Sequence, residues 1–208
     1  MVNCGFWNIR GMNNVDKQNE IKWFLNQNKV GLFGLLETKI RSNTWLKVKN
    51  NICEHWSICT NSSMHKGGRI WVIWDPTSFW VDIQDITSQC IHVKVFDKGR
   101  RSNFWMTVVY GMNKAAERDP LWQKLRLYCK TCQGPWVVFG DFNAIMAPIE
   151  RIGGADVSNA DIQPMSQMVK DCELHELKSC GSYYTWNNKH EVDGKIYSKL
   201  DRVLHNEE

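Results

Sequence analysis

The sequence predicts a mixed α/β fold in which two sheets carry helices on their outer sides, and three observations lead there. Apolar runs of strand length, Val30 to Leu36 and Val137 to Phe139 among them, alternate with stretches of helical spacing. Between Arg69 and Tyr110, short β-branched and aromatic runs separated by polar turns read as an antiparallel meander. After it come a helix, a strand and a further helix, the order of a layered α/β unit. The 208 residues, 43% hydrophobic and 12% aromatic with Trp at 11 positions, can bury one substantial core, so a single domain over residues 1–208 is expected.

The elements follow in order. Residues 2–9 alternate as a first strand that ends in Asn8, Arg10 and the turn-permitting Gly11. From Asp16, the spacing of Ile21, Phe24 and Leu25 predicts an amphipathic helix. The apolar run to Leu36 stops at Glu37-Thr38-Lys39, which places a carboxylate at a strand end. A short helix over 43–50, a strand from Trp56 to Thr60 and a polar return over 62–68 precede the run Arg69 to Trp74. Phe79 to Ile83, Cys90 to Phe96 and Phe104 to Tyr110 continue the meander around a basic turn, Asp97 to Arg101. Pro120 opens a helix that reaches Cys132, and the next strand ends in Gly140-Asp141-Phe142-Asn143. If strand geometry persists there, Asp141 and Asn143 point to one side; the alternative is a strand closed by an Asx-type turn. A turn-rich Glu150 to Gly154, a helix over 162–172 and two strands, Tyr183 to Trp186 and Tyr197 to Leu204, complete the reading.

Composition excludes several classes. No apolar run approaches the roughly 20 residues of a membrane helix, and the amino terminus lacks the basic and cleavable segments of a leader, so a soluble intracellular protein without membrane contact is expected. The 8 cysteines are scattered and several lie in apolar runs, which argues against a disulfide framework. Cys129 and Cys132 have zinc half-site spacing, but no second pair follows. A net charge of +4 permits a polyanionic partner without requiring one.

Asn8, Glu37, Tyr110, Asn113, Asp141, Asn143 and Asp201 share one property: each lies at or near the end of a candidate strand. Taken singly, such residues are commonly solvated turn residues. Together, carboxylates, amides and a phenol without a histidine or cysteine cluster suit a hard cation such as Mg²⁺, with Mn²⁺ as a substitute, and metal-assisted phosphoester cleavage.

The ordered stretches WNIRGMN from Trp7, LLETK from Leu35, GRIWVIWDP from Gly68, VYGMN from Val109, PWVVFGDFN from Pro135, ERIGG from Glu150, YTW from Tyr184 and KLDRVL from Lys199 resemble the endonuclease/exonuclease/phosphatase superfamily. They are most similar to the apurinic-type endonuclease domain of plant non-LTR (LINE-type) retrotransposons. The resemblance implies a four-layered α/β sandwich, two mostly antiparallel sheets face to face with helices outside. It also implies DNA nicking, with DNA rather than a small phosphate ester as partner, and work in the nucleus.

Carried onto matching positions, the resemblance implies that Glu37 is a metal ligand with Asn8 beside it. Asp141 aligns or deprotonates the attacking water, and Asn143 holds the scissile phosphate with a further hydrogen bond from Tyr110. Asn113 borders the substrate groove, and Asp201 matches the carboxylate behind the catalytic histidine. Basic positions Lys39, Arg41, Lys66, Arg100 and Arg101 are candidate phosphate contacts. The family's Ser-Asp-His motif does not follow KLDRVL in these residues, and neither His190 nor His205 is placed to replace it. A chain lacking its last strand is expected to be marginally stable and impaired as an enzyme. The rival readings are an inactive nucleic-acid-binding remnant and a small-molecule phosphatase of the same superfamily.

Overall fold

The computed structural model describes residues 2–40, 43–64, 69–191 and 194–207. These form two large sheets, a small three-stranded one and four α-helices, distributed over two compact units, Met1–Tyr110 and Gly111–Glu208.

In the first unit, β1 (Asn3–Asn8) lies parallel to β2 (Val30–Leu36), and helix α1 (Val15–Gln27) makes the crossover. Asn14 caps that helix, its side chain accepting the Asp16 N–H at 2.9 Å. Helix α2 (Trp45–Cys53), β3 (Ser57–Thr60) and β4 (Ile70–Trp74) follow, and β4 runs antiparallel to both β2 and β3. Burial explains why β2 and β4 are apolar almost throughout, since both of their faces are covered. Phe33, Leu35, Trp71 and Ile73 join Ile21, Leu25, Val48 and Ile52 of the helices in one cluster. On the other side, β4 packs against the meander β5 (Phe79–Ile86), β6 (Cys90–Asp97) and β7 (Ser102–Tyr110). The run Arg69 to Trp74 therefore belongs to the sheet of β2 and not to the meander, a correction that its two-faced burial explains.

In the second unit, helix α3 (Asp119–Thr131) leads to β8 (Trp136–Asp141), then the short β9 (Arg151–Ile152) and helix α4 (Asn159–Asp171). Helix α4 starts three residues earlier than its apolar spacing suggests. The cause is a capping box, in which the Asp161 carboxylate accepts from the Ser158 N–H at 3.0 Å and hydroxyl at 2.7 Å. The remaining strands are β10 (His175–Glu176), β11 (Trp186–Asn187), β12 (Tyr197–Ser198) and β13 (Asp201–His205). β13 pairs antiparallel with both β8 and β10, whereas β12 joins β9 and β11.

Two expectations change here. The run Tyr197 to Leu204 is not one strand, because Lys199 and Leu200 turn their N–H groups to the Glu150 carbonyl at 2.9 Å and to Thr185 Oγ1 at 3.0 Å. Of the run Tyr183 to Trp186, only Trp186 enters a strand, since the Ser182 hydroxyl donates to the Tyr184 carbonyl at 2.8 Å in a local turn.

An ion network holds this unit together. The Arg202 guanidinium, with its side chain fully buried, donates to Glu150 and, at 3.0 Å, to Glu176. Lys199 meets the other Glu176 oxygen at 2.7 Å, and Glu150 also accepts the Met146 N–H at 2.5 Å. Breaking one partner strands a buried charge, so Glu150→Ala is expected to cost about 3–5 kcal/mol. A lower urea midpoint with an unchanged slope would record it.

In the meander, His92 is buried, its Nδ1 lying 2.8 Å from Thr107 Oγ1 and its ring stacked on Trp105. Burial pushes its pKa down to about 4 against a smaller opposing pull from Asp85. The folded protein keeps this ring neutral while the unfolded chain takes up a proton near pH 6.5. Stability is therefore expected to be full above that pH and to decline as pH falls toward 4, a slope that His92→Asn should flatten in denaturation measured across this range.

Candidate functional site

The first cluster forms where β1, β2 and β7 reach their carboxyl ends. Because β1 and β2 are parallel, Asn8 and Leu36 are register partners, and Glu37 follows directly. The Asn8 side chain donates from Nδ2 to Glu37 Oε1 at 3.1 Å, and Lys39 Nζ lies 3.2 Å from Oε2. Tyr110, at the end of β7, adds a side-chain hydrogen bond to the same carboxylate. Burial by itself would raise the Glu37 pKa, but the bonds from Asn8, Lys39 and Tyr110, together with the Lys39 charge, hold it below the usual glutamate range. The group is an anion at neutral pH. The Arg69 guanidinium lies over the Tyr110 ring at 5.2 Å.

Backbone strain accompanies this convergence. Arg10, Glu37 and Lys39 all have positive φ, at 53°, 52° and 54°. Non-glycine residues hold that conformation only where their surroundings impose it. Here the Met12 N–H donates to the Thr38 carbonyl at 3.1 Å, and the fully buried Thr38 ties the turn to the core.

The second cluster is built on β8. Asp141 is its last residue, nearly buried, and its Oδ1 accepts the Asn143 N–H at 2.9 Å. Asn143 has φ 49°, so strand geometry stops at Asp141 and the same-side argument from strand alternation does not apply. An Asx turn brings the two residues together instead. One N–H of the Asn143 amide donates to the Gly111 carbonyl at 2.7 Å, leaving the second N–H as a donor for a ligand. The Gly111 N–H in turn donates to the Asp141 carbonyl at 2.8 Å. A Cβ on Gly111 would sit 2.4 Å from the Phe142 carbonyl oxygen, so only glycine permits this approach.

Arg118 locks the arrangement, donating from Nη1 to the carbonyls of Met112 at 3.0 Å, Asn113 at 3.1 Å and Asn143 at 2.6 Å. Burial pushes down its ordinarily very high pKa, and the charge is met by these carbonyls and by Asp161, Asp119 and Asp141 around it. Asp201 is the register partner of Asp141 across β13 and β8, so the two carboxylates emerge on one face of that strand pair. The side chain of Asn113 is exposed.

Arg100 and Arg101 do not join the first cluster. They occupy the turn before β7, at the opposite end of that strand from Tyr110, and nine extended residues span roughly 25 to 30 Å. The direction of β7 decides this, and a list of basic residues carries no direction. Arg41 and Lys66 lie outside the described residues. The sequence reading missed Arg118 as a clamp. Its signal was a lone arginine just before the proline-opened helix α3, a position that looks solvated until the carbonyls of two loops converge on it.

Residues 5–208 match the model of the Endonuclease/Exonuclease/phosphatase family. The chain belongs to this family. Among curated proteins no sequence matches it. Solved structures do. The endonuclease domain of TRAS1, a telomere-specific non-LTR retrotransposon, superposes with a TM-score of 0.71 at 14% identity, covering 97% of this chain and 84% of that one. The AP endonuclease LMAP from Leishmania major gives 0.73 at 11% identity over 97% and 78%. A 3′ phosphatase from Neisseria, bound to a product DNA hairpin, gives 0.68 at 16% over 97% and 85%. Identities this low establish the shared fold, a mixed α/β architecture of two large sheets with helices, as the sequence predicts.

The donor chemistry of the first cluster fits a hard cation. Glu37 presents an anionic carboxylate beside the Asn8 amide. One carboxylate completed by water and phosphate oxygens is the ligand set Mg²⁺ accepts. Lys39 holds part of that carboxylate now, but its side chain is 60% exposed and can swing away at little cost.

The close approach at Gly111 generates a prediction. Gly111→Ala forces the Phe142 carbonyl to move and should disturb the Asx turn at Asp141, lowering stability by about 1–3 kcal/mol. An unchanged melting temperature would show that the loop yields freely.

Proposed function

We propose that this chain is a Mg²⁺-dependent DNA phosphodiesterase of the retrotransposon endonuclease kind, acting in the nucleus as one catalytic domain. The observation that carries the reading is the Glu37 carboxylate, held anionic by Asn8, Tyr110 and Lys39 in a strained turn at converging strand ends. Three hydrogen-bonding partners and a positive φ are more than a solvated turn needs. The structural similarity to a retrotransposon endonuclease domain and to an AP endonuclease supports the same direction.

In this reading Glu37 holds the cation, and Asn8 fixes the orientation of its carboxylate. A bound Mg²⁺ supplies Lewis-acid stabilisation of charge on the phosphate. Asp141 orients the attacking water and accepts its proton. Asn143 directs its remaining amide N–H to a non-bridging phosphate oxygen, where a preoriented donor acts most strongly on developing charge. The Tyr110 hydroxyl gives a further bond, Asn113 borders the groove, and Asp201, opposite Asp141 on the neighbouring strand, is the carboxylate that would orient a histidine.

Supercoiled plasmid in Mg²⁺ tests the reading. Nicking is expected, and Asp141→Ala should reduce it by about 10²–10⁴-fold, the usual weight of a general base. Preference for an inositol phosphate over abasic or plain duplex DNA would establish the phosphatase alternative, and DNA binding without nicking by the wild type would establish an inactive remnant.

Metal and DNA binding give independent readouts. Glu37→Gln should weaken Mn²⁺ binding in calorimetry while leaving the fold intact. Duplex affinity should fall steeply as salt rises, as it does for phosphate-dominated contacts; a salt-independent affinity would contradict this.

A further inference from the structure

The outer face of the meander is built from residues that the reading above leaves unused. Cross-strand register places Trp80, Phe96 and Asn103 in one row and Asp82, Lys94 and Trp105 in the next. Strand alternation sends all six away from the buried side of the sheet, where Phe79, Val93, Val95 and Met106 pack. Trp80 is 68% exposed and Trp23 62%, whereas Trp71, Trp122 and Trp136 are buried. Trp80, Asp82, Lys94, Phe96 and Asn103 line a shallow cavity of about 220 Å³. Lys94 lies over the Trp105 ring at 5.2 Å, and that ring is stacked in turn on His92 with planes 6° apart. The Trp105 ring is thus held between its neighbours, and all three aromatics stand on strands and not on a loop.

The rim is basic. Lys98, Arg100 and Arg101 occupy the β6–β7 turn directly beyond the Phe96–Asn103 pair, and with Lys94 they make four cations against the carboxylates of Asp82 and Asp97. Asp97 is engaged locally, accepting from the N–H groups of Gly99 at 2.9 Å and Arg100 at 3.0 Å. The Arg100 Nε lies 3.7 Å from Asp97 Oδ2, a loose pair that leaves its side chain 63% exposed. Flat aromatic faces beside exposed cations match a polymer that alternates π-faces with phosphates. A second copy of the chain is the poorer occupant. β5 is an edge strand, but it carries Asp82 and Asp85 and breaks register between Ile83 and Asp85, features that oppose strand addition.

We propose that this face binds single-stranded nucleic acid, bases stacking on Trp80 and Phe96 and phosphates running along the Lys98 to Arg101 turn. The surface is separate from the Glu37 cluster, which lies at the other end of β7, and the proposal does not depend on catalysis. A single strand held here would be sequence-tolerant, because every base offers a stacking face.

The test measures a fluorescein-labelled 12-residue oligo(dT) by anisotropy with the full chain. Trp80→Ala should weaken binding by about tenfold, and Trp80→Phe should restore most of it, in line with stacking at about 1–3 kcal/mol per base. Charge neutralisation by Arg100→Gln with Arg101→Gln should weaken binding and flatten its salt dependence. Photocrosslinking with 5-iodouracil should place adducts on Trp80, Phe96 or Trp105. Unchanged affinity in Trp80→Ala, or adducts confined to other residues, overturns the proposal, as does sedimentation showing a dimer that Trp80→Ala dissolves. Plasmid nicking should be unaltered in Trp80→Ala, so loss of the catalytic reading and loss of this one are distinguished.

Discussion

Arg202 is wholly buried, and a guanidinium removed from water is tolerated only where acceptors surround it. Glu150, Glu176 and the Lys199 carbonyl supply them, and each comes from a different stretch of the second unit. The pairing of β13 with β8 depends on this, because β13 enters its register only after Lys199 and Leu200 have been turned aside toward Glu150 and Thr185. Two sequence motifs, ERIGG and KLDRVL, are therefore halves of one electrostatic lock. Gly153 within the first has φ 78°, and a Cβ there would lie 2.3 Å from the Lys195 carbonyl oxygen, so the chain must be glycine where it passes.

The same rule governs the candidate site residues. Arg118 gathers carbonyls from the 111–113 loop and from Asn143, and in doing so fixes the turn that presents Asp141 and Asn143. Glu37 is stabilised as an anion by three donors before any ligand arrives. Both clusters therefore hold their polar groups in place without any ligand, the arrangement that the proposed chemistry would require. The cost appears as backbone strain at Arg10, Glu37, Lys39 and Asn143.

The meander divides its labour between faces and ends. Its inner face is apolar and packs on β4, the Tyr110 end contributes to the Glu37 cluster, and the Lys98 to Arg101 end carries the basic turn beside exposed aromatics. A strand about 25 Å long keeps these two ends apart. One element thus serves two surfaces with different chemistry.

Several features were readable from residue order. The apolar runs of β2 and β8, the periodicity of α1 and the polar residues closing each strand depend on local spacing, and burial preserves that pattern in the fold. The family resemblance set Glu37 with Asn8 and Tyr110 with Asn143, whereas the fold hydrogen-bonds both Asn8 and Tyr110 to Glu37. Other features depend on contacts between residues far apart in sequence. Asn143 sits beside Asp141 through an Asx turn and not through strand alternation, because the 2.9 Å bond to its N–H outweighs continuation of the strand. Arg100 and Arg101 fall at the wrong end of β7 for the Glu37 cluster, since strand direction is set by pairing with β6. Arg118 and Arg202 became structural only when carbonyls and carboxylates up to 52 positions away closed around them. Side-chain charge is written in the sequence, but whether a charge faces water or a partner is settled by the packing of the rest of the chain.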